Sequence, residues 1–344
     1  MARALPNEPA EAIAAGGELH KFLFEGLPVR GMLVRLTGAW TEILKRREAA
    51  GGYPEPVRRL LGEMSAAAVL MQSNIKFNGA LILQMQGDGP LKLAVAEVQP
   101  DLGLRATAKV DGEVPADARI EALLNVNGKG RCAITLDPKD RQPGQQPYQG
   151  VVPLERMTAS KHREPLQDLS QVLEHYMLQS EQLDTTLVLA ADDQVAAGLL
   201  IQRLPVQGEG NLAGRSVLHE EDEADRNEAY LRIATLAATL KREELLTLDV
   251  DTVLRRLFWE EDLRRFPAQT GEHGPRFACT CSPERVGRML VGLGREEVDS
   301  ILAERGEVEV GCDFCGAQYR YDAVDAGKLF VPSVAQGPGS GTVQ

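Results

Sequence analysis

Four cysteines in two close pairs lie near the C-terminal end of this 344-residue chain, and they constrain its fold more than any other feature. Cys279 and Cys281 form a C-x-C pair, thirty residues follow, and Cys312 and Cys315 form a C-x-x-C pair. Two close pairs at such a separation are typical of a tetrahedral zinc site with four thiolate ligands. The sequence therefore predicts a small module that binds one Zn2+ per chain through Cys279, Cys281, Cys312 and Cys315.

The charge balance argues against a nucleic-acid partner. The chain has 38 Lys or Arg residues against 50 Asp or Glu residues, a formal net charge of −12. The cysteine module is acidic too, since residues 271–330 contain seven basic and eleven acidic side chains. Nucleic-acid binders need a basic face to displace counterions, so a DNA-binding zinc ribbon is disfavoured.

No apolar stretch in the sequence is long enough for a signal peptide or a membrane span, so we expect a cytoplasmic protein without a membrane partner. A reducing compartment of this kind favours metal binding by paired cysteines over a disulfide framework.

The first two hundred residues predict an α+β fold. Residues 37–48 and 55–73 have helical apolar spacing, and Gly87-Asp88-Gly89-Pro90 predicts a hairpin turn between two short apolar runs. Strands are expected over 81–86, 91–96, 104–110, 132–136, 150–154, 185–190 and 195–204. Short strands joined by turns, with helices in separate blocks, favour a mixed sheet-and-helix core with a largely antiparallel sheet.

The charged segment over 219–266 predicts two or three amphipathic helices. Its apolar residues fall on two helical stripes: Tyr230, Ile233, Leu236 and Leu240 on one, and Val250, Val253, Leu254 and Leu257 on the other. Helices this short need a surface on which to dock. The predicted organisation is an N-terminal extension (1–18), a core α+β domain (19–207), a charged helical linker (208–268), a zinc-binding domain (269–330) and a disordered glycine-rich tail (331–344).

The C-x-C pair favours a reactive zinc site over an inert one. It has one residue fewer than a C-x-x-C pair to wrap backbone N–H groups around the sulfurs, which predicts weaker hydrogen bonding and greater reactivity toward oxidants. Two alternatives stay open: a thiol–disulfide oxidoreductase that uses Cys312 and Cys315, and a zinc-stabilised interaction module without redox function. His273 is a weaker candidate for an additional ligand, and Cys132 is predicted to be a small buried apolar residue.

Around these cysteines the sequence resembles the bacterial redox-regulated heat-shock holdase chaperone family, the thirty-three-kilodalton chaperonin. The resemblance covers Leu19 to Phe330, with departures at Met177, Asp184 and Ala197 that concern the core domain. It rests on the cysteine spacing and on these blocks: Val29–Gly31 with Val34–Leu36 and Trp40–Leu44, Gly79–Glu97, Tyr148–Leu154, Tyr176 with Ser180–Gln182, Ala197–Gln202, Cys281–Val286, and the pair Tyr319 and Tyr321.

The resemblance implies an ATP-independent holdase, not an enzyme, that is activated by oxidation. It implies that residues 19–207 form the chaperone domain and that residues 269–330 are the redox switch. On oxidation Zn2+ is implied to be released, Cys312–Cys315 and Cys279–Cys281 disulfides to form, and the module and linker to unfold, which exposes a surface for unfolding client proteins. The order of disulfide formation and a homodimer in the oxidised form stay open.

Overall fold

The computed structural model describes residues 16–48, 51–141, 144–158, 161–204 and 220–331, without the side chains of 220–226. Contacts divide the chain after Cys279 into a larger unit and a smaller C-terminal unit. The break in pattern expected near residue 208, the tail beyond 331 and nearly all of the N-terminal extension lie outside the described residues.

The elements confirm the predicted α+β class. In chain order the larger unit contains β1 (Gly17–Phe24), β2 (Val29–Leu36), α1 (Gly38–Glu48), α2 (Glu55–Asn74), β3 (Gly79–Gln86), β4 (Leu91–Val98), β5 (Gly103–Val110), α3 (Ile120–Leu124), β6 (Arg131–Pro138), β7 (Tyr148–Pro153), β8 (Glu155–Met157), β9 (Arg163–Pro165), α4 (Leu169–Ser180), β10 (Thr185–Ala191), β11 (Ala196–Arg203), α5 (Glu220–Ala238), α6 (Arg242–Thr247), α7 (Val250–Phe258), β12 (Leu263–Arg265) and β13 (Arg276–Phe277). The smaller unit contains α8 (Pro283–Leu293), α9 (Arg295–Arg305), β14 (Val308–Gly311), β15 (Gln318–Tyr321) and α10 (Ala323–Leu329). Within the described ranges, no helix combines the length and the apolar character needed to cross a membrane.

Two sheets form the framework of the larger unit. The five-stranded sheet has the order β10-β11-β2-β1-β12 and is antiparallel throughout. The six-stranded sheet has the order β13-β5-β4-β3-β6-β7, in which β13 runs parallel to β5 and the other neighbours are antiparallel. Leu81 of β3 lies opposite Val98 of β4, so the predicted hairpin is confirmed.

Helix α2 is a core helix that packs against strands of both sheets. Every residue from Met64 to Gln72 is buried, as expected for a helix that is nearly apolar on all sides. Within this run the Ser65 hydroxyl donates a hydrogen bond to the Leu61 carbonyl at 2.8 Å, which satisfies its polar atom inside the core. At Gly62 a Cβ would lie 2.4 Å from the Cβ of Ala191, so the missing side chain lets the helix approach β10 closely.

The linker helices α5, α6 and α7 cover the face of the five-stranded sheet opposite α2. Alternate residues of β2 show the two faces: Met32 and Val34 belong to the core around α2, while Leu33 belongs to the cluster with the linker helices. Seven members of the two predicted stripes are buried in that second cluster, and the eighth, Leu236, packs against it. The docked amphipathic helices are therefore confirmed.

Arg35 of β2 fixes the end of α6 to the sheet. Its Nη1 donates to the carbonyls of Leu245 and Leu248 at 2.7 Å, and its Nη2 donates to the carbonyl of Leu246 at 3.0 Å. These carbonyls lie at a helix C-terminus, where backbone acceptors lack partners within the helix and a positive charge is favourable.

The helical prediction is wrong at the C-terminal end of 219–266. Leu263–Arg265 forms β12, which pairs with β1 so that Phe22 lies opposite Arg265. Strand β1 would otherwise present unpaired backbone groups at the edge of its sheet, and β12 satisfies them.

Core pairing continues past residue 268, where the sequence places the boundary of the zinc domain. Leu19 and Gln269 exchange backbone hydrogen bonds of 3.0 and 2.9 Å, and Arg276–Phe277 pairs with Gly103 and Leu104 of β5. The contacts divide the chain after Cys279.

Glu63 of α2 makes the stability of the larger unit depend on pH. Its carboxylate lies 3.5 Å from the Arg242 guanidinium of α6. Burial raises the pKa of Glu63 from 4.5 to about 7, although Arg242 opposes the shift. The folded state therefore keeps a proton on Glu63 at pH values where the unfolded state has already lost it. The contribution of this proton to the free energy of unfolding is complete below the unfolded pKa and is lost as the pH rises through about 7.

The variant Glu63→Gln removes this titration. We expect its melting temperature to exceed that of the wild type at about pH 8, where Glu63 is ionised, and to match it at about pH 5. A difference on the order of 1–3 kcal/mol in unfolding free energy is expected at the higher pH. Thermal unfolding at both pH values tests this, with the exposed Glu48→Gln as control; a difference that does not change with pH would contradict it.

The smaller unit has only a small apolar core. Seven residues are buried in it: Val286, Leu290, Val298, Val308, Tyr319, Tyr321 and Ala326. Ser282 caps α8 by accepting a hydrogen bond from the Arg285 N–H, and Gly306 ends α9 in the left-handed region at φ +79°. So few buried apolar residues supply little hydrophobic stabilisation, so a bound metal or a cross-link would add a large share of the stability of this unit.

Candidate metal centre

The four predicted ligands occupy loop positions next to strands or a helix. Cys279 lies two residues beyond β13, where the Ala278 N–H donates to the Leu104 carbonyl at 2.9 Å. Cys281 lies two residues before α8, whose first residue is Pro283. Each cysteine of this first pair is thus placed by a regular element.

The second pair lies in the turn of the β14–β15 hairpin. The Cys312 N–H donates to the Ala317 carbonyl at 2.8 Å, and the Gly316 N–H donates to the Cys312 carbonyl at 2.8 Å. Gly316 has φ +73°, in the left-handed region that glycine adopts without steric cost. This turn brings the sulfurs of Cys312 and Cys315 to the same side.

The four sulfurs form one cluster. The Sγ atoms of Cys279, Cys281, Cys312 and Cys315 all lie within 4.8 Å of one another, and those of Cys281 and Cys315 are 3.3 Å apart. Zn–S bonds of about 2.3 Å in a tetrahedron separate neighbouring sulfurs by about 3.8 Å, so the cluster fits a zinc ion. His273 does not belong to this group.

Side chains supply the hydrogen bonds that the C-x-C spacing was expected to lack. The Tyr319 hydroxyl donates to Cys281 Sγ at 3.0 Å, and Arg105 Nη1 lies 3.8 Å from Cys279 Sγ, within hydrogen-bonding range for sulfur. Burial, the Cys281 contact and the nearby cysteines raise the pKa of Tyr319, which keeps its phenol protonated as a donor. These donors are side chains from other elements of the fold, so the spacing of the first pair, which concerns backbone N–H groups, does not describe all of the hydrogen bonding at its sulfurs.

Sequence reasoning missed Arg105 and gave Tyr319 no role at the sulfurs. Tyr319 lies close to Cys315 in sequence, and the pair Tyr319 and Tyr321 was part of the family resemblance. These two facts could have indicated that Tyr319 lies near the metal ligands. Arg105 is 174 residues from Cys279, and no local pattern could have linked the two.

Cys132 lies apart from the cluster. It is fully buried on β6, and burial raises the pKa of its thiol to about 12, so it is a neutral core residue as predicted.

Cys312 follows a β-strand in a hairpin turn, whereas a thioredoxin-like site places its first cysteine at a helix N-terminus. The surroundings of Cys312 thus do not match the oxidoreductase alternative.

The cluster predicts that one missing thiolate empties the site. Cys312→Ser removes a charged ligand that a hydroxyl does not replace, so we expect the purified reduced variant to hold far less than one zinc per chain. Elemental analysis beside the wild type measures this. The control Cys132→Ala, which removes a thiol outside the cluster, should keep its full zinc content. One zinc per chain in Cys312→Ser would contradict the assignment of four thiolate ligands.

Comparison with known proteins gives a consistent family. The chain matches the model of the family described as "Hsp33 protein" over residues 17–322. It is 46% identical over 313 residues to the 33 kDa chaperonin of Chromobacterium violaceum, covering 91% of this chain and 93% of that protein. It is 43% identical over 328 residues to the 33 kDa chaperonin of Neisseria meningitidis serogroup A, covering 94% and 96%.

A solved structure shows the same fold. The crystal structure of the 33 kDa chaperonin (Hsp33) of Thermotoga maritima superposes with a TM-score of 0.68 and 19% identity, covering 91% of this chain and 97% of that one. The family match spans both cysteine pairs and most of the larger unit. This chain is a member of the Hsp33 family of chaperones.

Proposed function

We propose that this protein is an ATP-independent holdase that is inactive when reduced and is activated by oxidation of its four clustered cysteines. The observation that carries the proposal is the convergence of Cys279, Cys281, Cys312 and Cys315 within 4.8 Å in a member of a chaperone family. We place the protein in the cytoplasm, with unfolding proteins as its partners, a homodimer as its oxidised form, and no enzymatic turnover.

The reduced state depends on the cluster. Zinc, when bound, neutralises thiolate charge and adds its binding free energy to the folding of the smaller unit. Cys281 and Cys312 both pack against the seven-residue apolar core of that unit. The ligands and the core therefore support each other, and loss of the ligands removes most of what holds this unit folded.

Oxidation is proposed to produce Cys312–Cys315 and Cys279–Cys281 disulfides. A thiolate first gives a sulfenate, and a second thiol then displaces the oxygen as water to form the disulfide. In the folded protein Cys281 and Cys315, which belong to different pairs, lie only 3.3 Å apart. Disulfides within the sequence pairs would therefore indicate that the bonds close after the unit has loosened. Loops this short restore little stability.

The proposed client surface is the apolar cluster beneath the linker helices. Phe22, Phe24 and Leu33 of the five-stranded sheet are almost fully buried by α5, α6 and α7. Undocking these helices would expose both the sheet face and the linker stripes, and large exposed apolar patches bind unfolded chains.

Aggregation of a heat-unfolded test protein, measured without ATP, tests the proposal. We expect reduced protein to leave aggregation unchanged and peroxide-treated protein to suppress it, with zinc released in parallel. Oxidised Cys132→Ala should behave like oxidised wild type. Zinc that resists peroxide would indicate an inert interaction module, and thiol exchange without any metal would indicate the oxidoreductase.

A further inference from the structure

A buried ion pair in the six-stranded sheet lies beside the first zinc ligand. Arg105 of β5 and Glu97 of β4 are directly opposite each other in the antiparallel register. Arg105 Nη2 lies 2.6 Å from Glu97 Oε2, and their side chains are only 8% and 9% exposed. An Arg–Glu pair this deeply buried is costly to desolvate and is retained only where its geometry is good.

The same guanidinium also reaches the sulfur of Cys279. Arg105 Nη1 lies 3.8 Å from Cys279 Sγ, while Nη2 holds Glu97. Backbone pairing sets this contact, because β13 lies beside β5 and the Ala278 N–H bonds to the Leu104 carbonyl. Both partners belong to the larger unit, so the contact does not depend on the packing of the smaller one.

We propose that Arg105 is a positioning residue of the redox switch, which holds the Cys279 sulfur and slows its attack on oxidants. The proposal rests on the zinc binding and oxidative activation proposed above. In the zinc-bound protein Cys279 is a thiolate whether or not Arg105 is present, because thiolates are the ligand form. Arg105 therefore acts on the nucleophilicity and the position of the sulfur and leaves its charge state unchanged.

The direction of the effect follows from the charge. A cationic N–H that donates to a thiolate withdraws electron density from the sulfur, and a thiolate stabilised in this way is a weaker nucleophile. The effect is enlarged in a site of low dielectric, such as the buried surroundings of Arg105 and Glu97. Glu97 balances the buried cation and orients the guanidinium so that its second edge faces Cys279.

The test replaces the charged pair with a neutral one. In the double variant Glu97→Gln/Arg105→Gln two amides can still bond to each other, so no buried charge is left unpaired. Zinc release under peroxide, followed with a chromogenic chelator, should be roughly three- to ten-fold faster than in the wild type. Quenched alkylation with mass spectrometry should show that the faster oxidation occurs at Cys279. The matched control Arg58→Gln/Asp193→Asn removes an ion pair that joins α2 to the turn before β11 and should leave the rate unchanged.

A second variant keeps the proposal testable if the double variant fails to fold. Arg105→Lys retains the charge for Glu97, but a single ammonium lacks the fork that contacts Glu97 and Cys279 together. It should release zinc faster than the wild type and react faster at Cys279. Wild-type kinetics in a folded variant, or acceleration spread evenly over all four cysteines, would overturn the role of Arg105. Wild-type protein that holds no zinc, or keeps it under peroxide, would instead overturn the proposed function.

Discussion

A variant with both Cys279 and Cys281 replaced by serine is expected to be zinc-poor and partly active as a holdase even in the presence of reductant. Only two thiolates, Cys312 and Cys315, remain to bind zinc, and affinity is expected to fall by roughly several orders of magnitude. The smaller unit then has only its seven buried apolar residues to keep it folded. If its fold restrains the linker, activity follows loss of that fold and does not need a disulfide.

Suppression of aggregation is measured with reductant and chelator present, and zinc content and circular dichroism are recorded on the same sample. Thr280→Ser is the control, because it lies between the two cysteines and keeps the hydroxyl that accepts a hydrogen bond from Arg285. Complete inactivity, despite confirmed unfolding of residues 280–331, would show that this unit does not restrain the client surface.

Leu254→Glu is expected to activate the protein without loss of zinc. Leu254 is 3% exposed on α7, within the cluster that joins the linker to the five-stranded sheet. A carboxylate at this position costs about 3–5 kcal/mol unless the helix leaves the sheet. The four cysteines are unchanged, so the switch is bypassed at the linker while the metal site stays intact.

Hydrogen exchange and aggregation assays on the reduced Leu254→Glu variant test whether undocking the linker is sufficient for activity. Protection should fall over α5, α6 and α7 but persist in β3 and β4, and oxidised wild-type protein should show the same loss in the linker. Arg255→Glu changes charge at the neighbouring exposed position and should keep both protection and inactivity. A deprotected linker without aggregation suppression would place the client surface elsewhere on the protein.

Local patterns were sufficient for most elements of the larger unit. The helical spacing of 55–73 and the turn at Gly87–Pro90 predicted α2 and the β3–β4 hairpin, because both depend on residues close together in the chain. The linker stripes predicted docked helices for the same reason, since an apolar stripe needs a surface. Strands β12 and β13 were not predicted, since three- and two-residue strands have no periodicity of their own and form only against the exposed edges of β1 and β5.

The sequence by itself determined the candidate ligands, the buried character of Cys132 and the acidic character of the cysteine module. The spacing of the thiols along the chain limits the metals and geometries that they can bind, so the candidate ligands needed no coordinates. The charge of the module follows from its composition, and the burial of Cys132 follows from the strand-like run that contains it. Tertiary structure decided which groups surround the sulfurs. Arg105 reaches Cys279, 174 residues away in the chain, because β5 pairs with β13. Tyr319 reaches Cys281 through the fold of the β14–β15 hairpin. Hydrogen bonds to a sulfur depend on distance in space, and no sequence pattern encodes the pairing of two distant strands.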